Sequence, residues 1–187
     1  AMPVIVVSGG EAGAGATTVA AGLAHRLAYA GHMVRIERLA FGANAARDAA
    51  TFAMLDFASS SGEPVHAGAL QAGDGVTILD ASMSPDGAGI ASQLGARRVV
   101  VALPGAAMAD TSGIAIVNHA RAASRLQLPE DRLLAAPTVG TIIEASKARI
   151  LTRSVEGERA ICEHIVIGAI SHDSDQPYFA RFPHKAV

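Results

Sequence analysis

The sequence has one cysteine, no tryptophan and few aromatic residues of any kind. Its single thiol, Cys162, excludes a disulfide framework within the chain and a zinc site built from cysteines. We expect Cys162 to be a buried, unreactive thiol, which suits a reducing compartment. Because aromatic residues make up only 4% of the chain and apolar residues 50%, the core has to be packed from alanine, valine, isoleucine and leucine.

Long apolar runs and an excess of charge of one sign are also missing. No apolar stretch reaches the roughly 20 residues that span a membrane, and the first residues lack the basic start and apolar run of a signal peptide. The formal net charge of -2 predicts no general attraction to nucleic acid or to anionic membranes. We therefore expect a soluble, cytoplasmic domain with neither nucleic acid nor membrane as a partner.

Short β-branched runs alternate with helical patterns through the first two thirds of the chain. The predicted strands are residues 3–8, 33–39, 76–79, 98–102 and 114–117, and the predicted helices are residues 17–30, 43–58 and 90–94. A helix over residues 106–126 is a rival to the fifth strand, and residues 59–72 are predicted to be a loop. This alternation is typical of α/β proteins with a mostly parallel sheet and helices on both faces.

The sequence changes in character from Pro129 onward. A helix is predicted over residues 141–151 and an isolated apolar strand over residues 165–170. We therefore divide the chain into a domain of residues 1–139 and a C-terminal segment of residues 140–187.

The most informative segment is GGEAGAGATT, residues 9–18, which follows a predicted strand and opens a predicted helix. That context is the one a phosphate-binding loop requires, because glycines and a helix N-terminus direct backbone N–H groups toward an anion. Gly10, Gly15 and Thr17 match the pattern G-x-x-x-x-G-K-[ST]. Ala16 stands where the pattern has the lysine that contacts the β- and γ-phosphates.

Residues 4–24 resemble the deviant phosphate loop of the dethiobiotin synthetase, cobyrinic acid diamide synthase and partition-ATPase group, which shows K-G-G-x-G-K-[ST]-[ST] or G-T-D-T-x-x-G-K-[ST]. Thr18 matches the second threonine, whereas Glu11 and Ala16 replace the two lysines. The resemblance implies a P-loop NTPase-like fold and a homodimer. Since both lysines are replaced, we expect binding of a nucleotide or another phosphorylated ligand without efficient ATP hydrolysis.

A second resemblance lies in residues 128–140 (LPEDRLLAAPTVG) and 164–187. They resemble proteins that join a dethiobiotin-synthetase-like domain to a DRTGG domain, a pairing that also forms the N-terminal half of some long phosphate acetyltransferases. The DRTGG motif itself would follow Lys185-Ala186-Val187, where the sequence given ends. The resemblance implies that residues 140–187 are the start of such a domain.

The candidate site gathers around the loop. The residues expected to contact nucleotide or phosphate are Gly10, Gly13, Ala14, Gly15, Ala16, Thr17, Thr18 and Asn118, of which Asn118 would contact the base. Thr17 and Asp80 are expected to hold the Mg²⁺ that accompanies ATP or ADP. Asp80 and Asn118 each end a predicted strand, so the alternative for both is an ordinary turn residue. No catalytic residue is assigned.

Four charged residues near the loop have two interpretations each. Arg35 and Arg38, on the second strand, could replace the missing lysine charge, or could form ion pairs near Glu37. Asp48 and Asp56, on the second helix, could belong to a switch that responds to ligand, or could be surface charges.

Three functions follow from these features. The first is a degenerate nucleotide- or phosphate-binding regulatory domain. The second is an ATP-dependent ligase of the dethiobiotin synthetase type, which would need a cation such as Arg38 in place of the lysine. The third is a non-catalytic interaction module in which dimerisation is the function.

Overall fold

The structure, a computed structural model, describes residues 3–70, 74–106, 112–131, 133, 136–165 and 185–186. The chain forms two compact units, residues 1–129 and residues 130–187. The boundary predicted after residue 139 lies inside the second unit. Within the described residues, no helix is both long and apolar enough to cross a membrane.

The first unit is built on a six-stranded, all-parallel sheet in the order β2-β3-β1-β4-β5-β6. The strands are β1 Val4–Gly9, β2 Val34–Arg38, β3 Val76–Asp80, β4 Arg97–Ala102, β5 Ile114–Ala120 and β6 Gln127–Pro129. The helices are α1 Ala16–Tyr29, α2 Ala45–Phe52, α3 Gly87–Gln93 and a short 3-10 helix, Ala67–Ala69. The predicted α/β class with a parallel sheet is confirmed.

Helices pack on both faces of this sheet, as predicted. Because successive side chains of a strand point to opposite faces, β1 supplies Val7 to one face and Val4 and Val6 to the other. On the first face, α1 and Phe52 of α2 pack over Val7, Ile36, Ile78 and Val101. On the second face, Ile90, Ala91 and Leu94 of the α3 region pack over Val4, Val6 and Leu79.

The second predicted helix is too long, because α2 ends at Phe52 and not near residue 58. The chain after α2 turns back and runs along the outer side of β2. Ser59 exchanges backbone hydrogen bonds with Val34 and Ile36, and Val65 does so with Arg38 and Ala40. This segment supplies the partners that β2, the edge strand of the sheet, would otherwise lack.

Other boundaries also differ from the prediction. α3 begins at Gly87, three residues early, because the Asp86 carboxylate caps it by accepting a hydrogen bond from the Gly89 amide (3.0 Å). The fifth strand is confirmed over Ile114–Ala120, against the rival helix. The three-residue strand β6 had no sequence signal and was not predicted.

In the second unit, α4 spans Val139–Ser146 and α5 spans Val155–Arg159. Thr138 and Ser154 cap these helices with their side-chain oxygens, and α4 stops at Lys147, whose φ is +53°. The predicted helix therefore exists but ends before residue 151. His164–Ile165 (β7) pairs in parallel with Lys185–Ala186 (β8), and the rest of the strand predicted over residues 165–170 lies outside the described residues.

Candidate functional site

The glycine-rich loop connects the carboxyl end of β1, a central strand, to the first residue of α1. Its conformation depends on glycine at two positions, since Gly13 has φ +79° and Gly15 has φ +82°, a region that other residues rarely adopt. The chain leaves β1 toward β2 on one side of the sheet and later crosses to β4 on the other. Ligands of open α/β sheets bind beyond the carboxyl ends of strands where such a reversal occurs.

The loop leaves backbone donors at the start of α1. Gly15 is the N-cap, and the first helical hydrogen bond runs from the Val19 amide to the Gly15 carbonyl (3.0 Å). The amides of residues 16–18 therefore precede the hydrogen-bonded part of the helix. In the part of the chain that the structure describes, no side chain caps this end, and the first turn has no acidic residue. The arrangement suits an anion, which the helix dipole also favours.

Asn118, near the end of β5, lies against this loop. Its Nδ2 donates to the Ala14 carbonyl (3.0 Å), and a Cβ placed on Gly15 would lie 2.5 Å from the same nitrogen. In a trans peptide the C=O and the following N–H point in opposite directions. Asn118 therefore holds the peptide between Ala14 and Gly15 so that the Gly15 N–H points away from Asn118. This peptide directly precedes the amides of residues 16–18. The bond to the Ala14 carbonyl uses one of the two N–H groups of the Asn118 amide, and the predicted contact with a base stays a prediction.

The two threonines of the loop have different surroundings. Thr17 is half-buried, and its Oγ1 lies 2.9 Å from the hydroxyl of Ser82. Thr18 is exposed. Ser82 was not a candidate in the sequence, although it follows Asp80 by two residues at the end of β3. Its contact with Thr17 ties the start of α1 to the β3 end of the sheet.

Ala16 cannot supply the positive charge of the missing lysine. Its side chain is 4% exposed and belongs to the core cluster beneath α1. The other lysine position, Glu11, is exposed, and its carboxylate accepts a hydrogen bond from the Leu103 amide at the end of β4 (3.3 Å). Glu11 therefore joins the loop to β4 and places a negative charge beside it.

Arg38, at the end of β2, is 1% exposed. Its Nη1 donates to the carbonyls of Leu39 (2.9 Å) and Asp80 (3.2 Å). Its Nη2 donates to the carbonyls of Phe41 and Ser82, both at 3.1 Å. The guanidinium thus joins the loops that follow β2 and β3.

The remaining donor of Arg38, Nε, lies 3.4 Å from a carboxylate oxygen of each of two acids, Asp48 of α2 and Asp80 of β3. A guanidinium has five N–H groups, and the protein engages all five. Arg38 is therefore ion-paired and has no donor left for a ligand at the loop. Arg35 pairs with Glu37 (2.6 Å).

Asp80 is fully buried, at 0% exposed. Its Oδ1 accepts a hydrogen bond from the Ser82 amide (2.9 Å). Its Oδ2 has no hydrogen-bond partner among the described residues, and the Arg38 guanidinium is the charge beside it. The sequence allowed Asp48 and Asp56 to be either part of a switch or surface charges. Asp48 contacts Arg38, whereas Asp56 is exposed.

The structure thus brings most of the predicted residues together at the carboxyl ends of the strands. Asn118 lies against Ala14 and Gly15 of the loop there, and Thr17 is linked to Asp80 through Ser82. No group of three or more histidine, cysteine or acidic residues able to hold a metal occurs within the described ranges.

No protein-family model matches the chain, and no curated protein matches it either.

Proposed function

We propose that the first unit binds a phosphorylated small molecule, such as a nucleotide, at residues 10–18 and does not transfer the phosphoryl group. The observation that carries the proposal is a loop with two left-handed glycines that ends at the uncapped backbone amides of α1. Neither Ala16 nor Arg38 supplies a positive charge to this loop. Backbone dipoles bind an anion. Phosphoryl transfer needs in addition positive charge on the oxygens of the transferred group.

The ligase hypothesis is weakened by the surroundings of Arg38. It required a cation that could move to the loop, and all five N–H groups of Arg38 are engaged by backbone carbonyls and carboxylates. Binding without turnover, as in a sensor or regulatory domain, fits this arrangement better.

Titration calorimetry with inorganic phosphate, ADP and ATP tests the binding. Gly15→Asp, which adds a negative charge and a Cβ at the loop, is expected to abolish it. Gly31→Asp is the matched control, because Gly31 has a similar φ of +89°, open space around it and a place just beyond the other end of α1. Binding that survives Gly15→Asp, or no heat with any of the three ligands, would contradict the proposal. So would phosphate release from ATP above that of buffer.

A second variant adds the charge that the loop lacks. Ala16→Lys is expected to tighten binding about tenfold or more, since a hydrogen bond from a charged group contributes about 1.5–3 kcal/mol. Ala16→Met, a side chain of similar length without charge, controls for the burial of residue 16. Equal affinities of the two variants would contradict an anion bound within reach of a side chain at residue 16.

A second candidate function, an interaction module that forms homodimers, is favoured by exposed apolar side chains after β2 and β3. Phe41 is 44% exposed and Met83 56%. Both lie beside the Arg38 network, which we define as Arg38 with the carboxylates and backbone carbonyls that it contacts. Light scattering on wild type and Phe41→Ser/Met83→Ser would test it. A dimer that dissociates in the double variant is expected, and a monomeric wild type would exclude this candidate.

A further inference from the structure

A divalent metal at this site would rely on Thr17 and Asp80, the two residues that the resemblance assigns to Mg²⁺. In the structure the Thr17 hydroxyl is paired with Ser82 at 2.9 Å. The Asp80 carboxylate is 0% exposed, with Oδ1 on the Ser82 amide and Oδ2 beside Arg38.

Mg²⁺ prefers octahedral oxygen ligands at about 2.0–2.1 Å and usually keeps several of its waters. A carboxylate with no accessible surface offers no room for those waters. In addition, the ion would have to approach a guanidinium whose Nε lies 3.4 Å from the same oxygen. The residues present therefore do not fit a divalent metal at Asp80.

The partners of Arg38 resemble those of a hard cation. Four backbone carbonyls, those of Leu39, Phe41, Asp80 and Ser82, accept hydrogen bonds from its Nη atoms. Two carboxylates, those of Asp48 and Asp80, lie against its Nε. Carbonyl and carboxylate oxygens are also the ligands of Ca²⁺ and Mg²⁺ in proteins. A buried carboxylate oxygen without a hydrogen bond is costly, and the permanent charge of Arg38 offsets that cost at Asp80.

We propose that Arg38 is a built-in cation that takes the place of a divalent metal at this edge of the sheet, so that the loop binds its phosphorylated ligand without Mg²⁺. The inference rests on the proposed function for its ligand and on the Arg38 network for the metal. It implies that the preferred ligand is the free phosphorylated anion and not its metal chelate. It also accounts for a carboxylate, that of Asp80, at the end of β3 without access to solvent.

The first test is calorimetry of the whole chain with ADP in Mg²⁺ and in EDTA. We expect dissociation constants that agree within about twofold after correction for the chelation of ADP by Mg²⁺ in solution. A gain of tenfold or more in Mg²⁺ that Asp80→Asn removes would overturn the inference.

The second test needs no phosphorylated ligand, so it stands if the proposed function fails. Electron paramagnetic resonance follows free Mn²⁺ as protein is added, and we expect the wild type to leave the signal unchanged. Stoichiometric uptake of Mn²⁺ that disappears in Asp80→Asn would overturn the inference. Absence of ligand binding together with absence of Mn²⁺ uptake would refute the proposed function alone.

A third measurement tests whether a divalent metal binds once Arg38 is removed. Arg38→Met removes the cation and leaves the carboxylates of Asp48 and Asp80 without it. We expect Mg²⁺ to raise the Tm of this variant by about 2 °C or more and to leave the Tm of the wild type and of Arg47→Met unchanged. A rise in the wild type equal to that in the variant would contradict the inference. If Arg38→Met does not fold, the Mn²⁺ measurement on the wild type decides.

Discussion

The two units of the chain each contain an arginine paired with carboxylates, in opposite surroundings. In the first unit, the side chains of Arg38 and Asp80 are 1% and 0% exposed. In the second, those of Arg153 and Glu158 are 72% and 30% exposed, although their atoms lie closer, at 2.5 Å. The shorter distance does not mark the stronger contribution, because water solvates and screens the exposed pair.

The same contrast holds for apolar side chains. Strands β1 to β4 bury alternate residues against helices on both faces, which yields the two core clusters of the first unit. In the second unit, α4 and α5 bury no residue, and Cys162 is the one buried side chain within the described part. The first unit thus holds the pair of Arg38 and Asp80 in a packed interior, and the described second unit holds the pair of Arg153 and Glu158 at the surface.

The largest effect is expected from breaking the buried network. Arg38→Met leaves two carboxylates near one another without their cation, and loss of one partner of a buried ion pair costs about 3–5 kcal/mol. Urea unfolding should show this loss in the free energy of unfolding. Arg47→Met is the control, because the Arg47 side chain is 75% exposed and its pair with Asp48 spans 3.8 Å.

For the Arg47 variant we expect a change within about 0.5 kcal/mol. A cost below about 1 kcal/mol for Arg38→Met would mean that water reaches the guanidinium and the carboxylates. The buried and exposed ion pairs would then contribute similarly to the free energy of unfolding.

An intermediate effect is expected at the loop. Gly13 and Gly15 have nearly the same φ, so that alanine at either position costs about 1–2 kcal/mol for the left-handed backbone. A Cβ on residue 13 meets open space, whereas one on residue 15 would lie 2.5 Å from Asn118 Nδ2. Asn118 would then have to move and give up its hydrogen bond to the Ala14 carbonyl. Gly15→Ala should therefore destabilise the protein more than Gly13→Ala.

A double-mutant cycle isolates the part of this cost that belongs to Asn118. In an Asn118→Ala background the two glycine variants should become nearly equal, as followed by urea unfolding. A difference that persists without the asparagine would show that another group crowds Gly15. Asn118 would then not be the residue that fixes the Gly15 peptide.

Much of the fold was predictable because buried parallel strands give continuous β-branched runs. The end of α2 was not, because the chain leaves the helix to cover the edge of β2, a contact between residues distant in sequence. The loop was predictable from its glycines and its place between a strand and a helix. The contact of Thr17 with Ser82 was not, because it joins residues 65 positions apart.

The position of Arg38 did leave a signal in the sequence. Alternation along β2 places Arg38 on the face of Val34 and Ile36, and both are in the core. Arg35 has the opposite parity and is the more exposed arginine. This signal is partial, because Glu37 shares the face of Arg35 and is nevertheless 0% exposed. It also does not show which carboxylates lie opposite Arg38, since Asp48 and Asp80 come from other elements.

The smallest effect is expected from the exposed pair of the second unit. The hydrogen bond from Arg153 lowers the pKa of the Glu158 carboxyl. A lowered pKa in the folded state means that the pair stabilises above the ordinary pKa of the carboxyl, and that this contribution disappears as the pH falls through the lowered pKa. Carbon-detected NMR of the Glu158 carboxyl should show a titration midpoint that rises in Arg153→Met and stays in place in Arg149→Met.

Salt gives the control that separates this pair from the Arg38 network. At about 1 M ionic strength the Debye length falls to about 3 Å. Salt then screens the coulombic part of the pair, and the Glu158 midpoint should move only part of the way toward its ordinary value, because the hydrogen bond from Arg153 is the larger cause of the lowered pKa. The cost of Arg38→Met, whose groups are buried, should persist. A cost of Arg38→Met that falls with salt as the Glu158 shift does would show that solvent ions reach the Arg38 guanidinium. The two pairs would then differ in degree, and burial would no longer account for the contrast between the units.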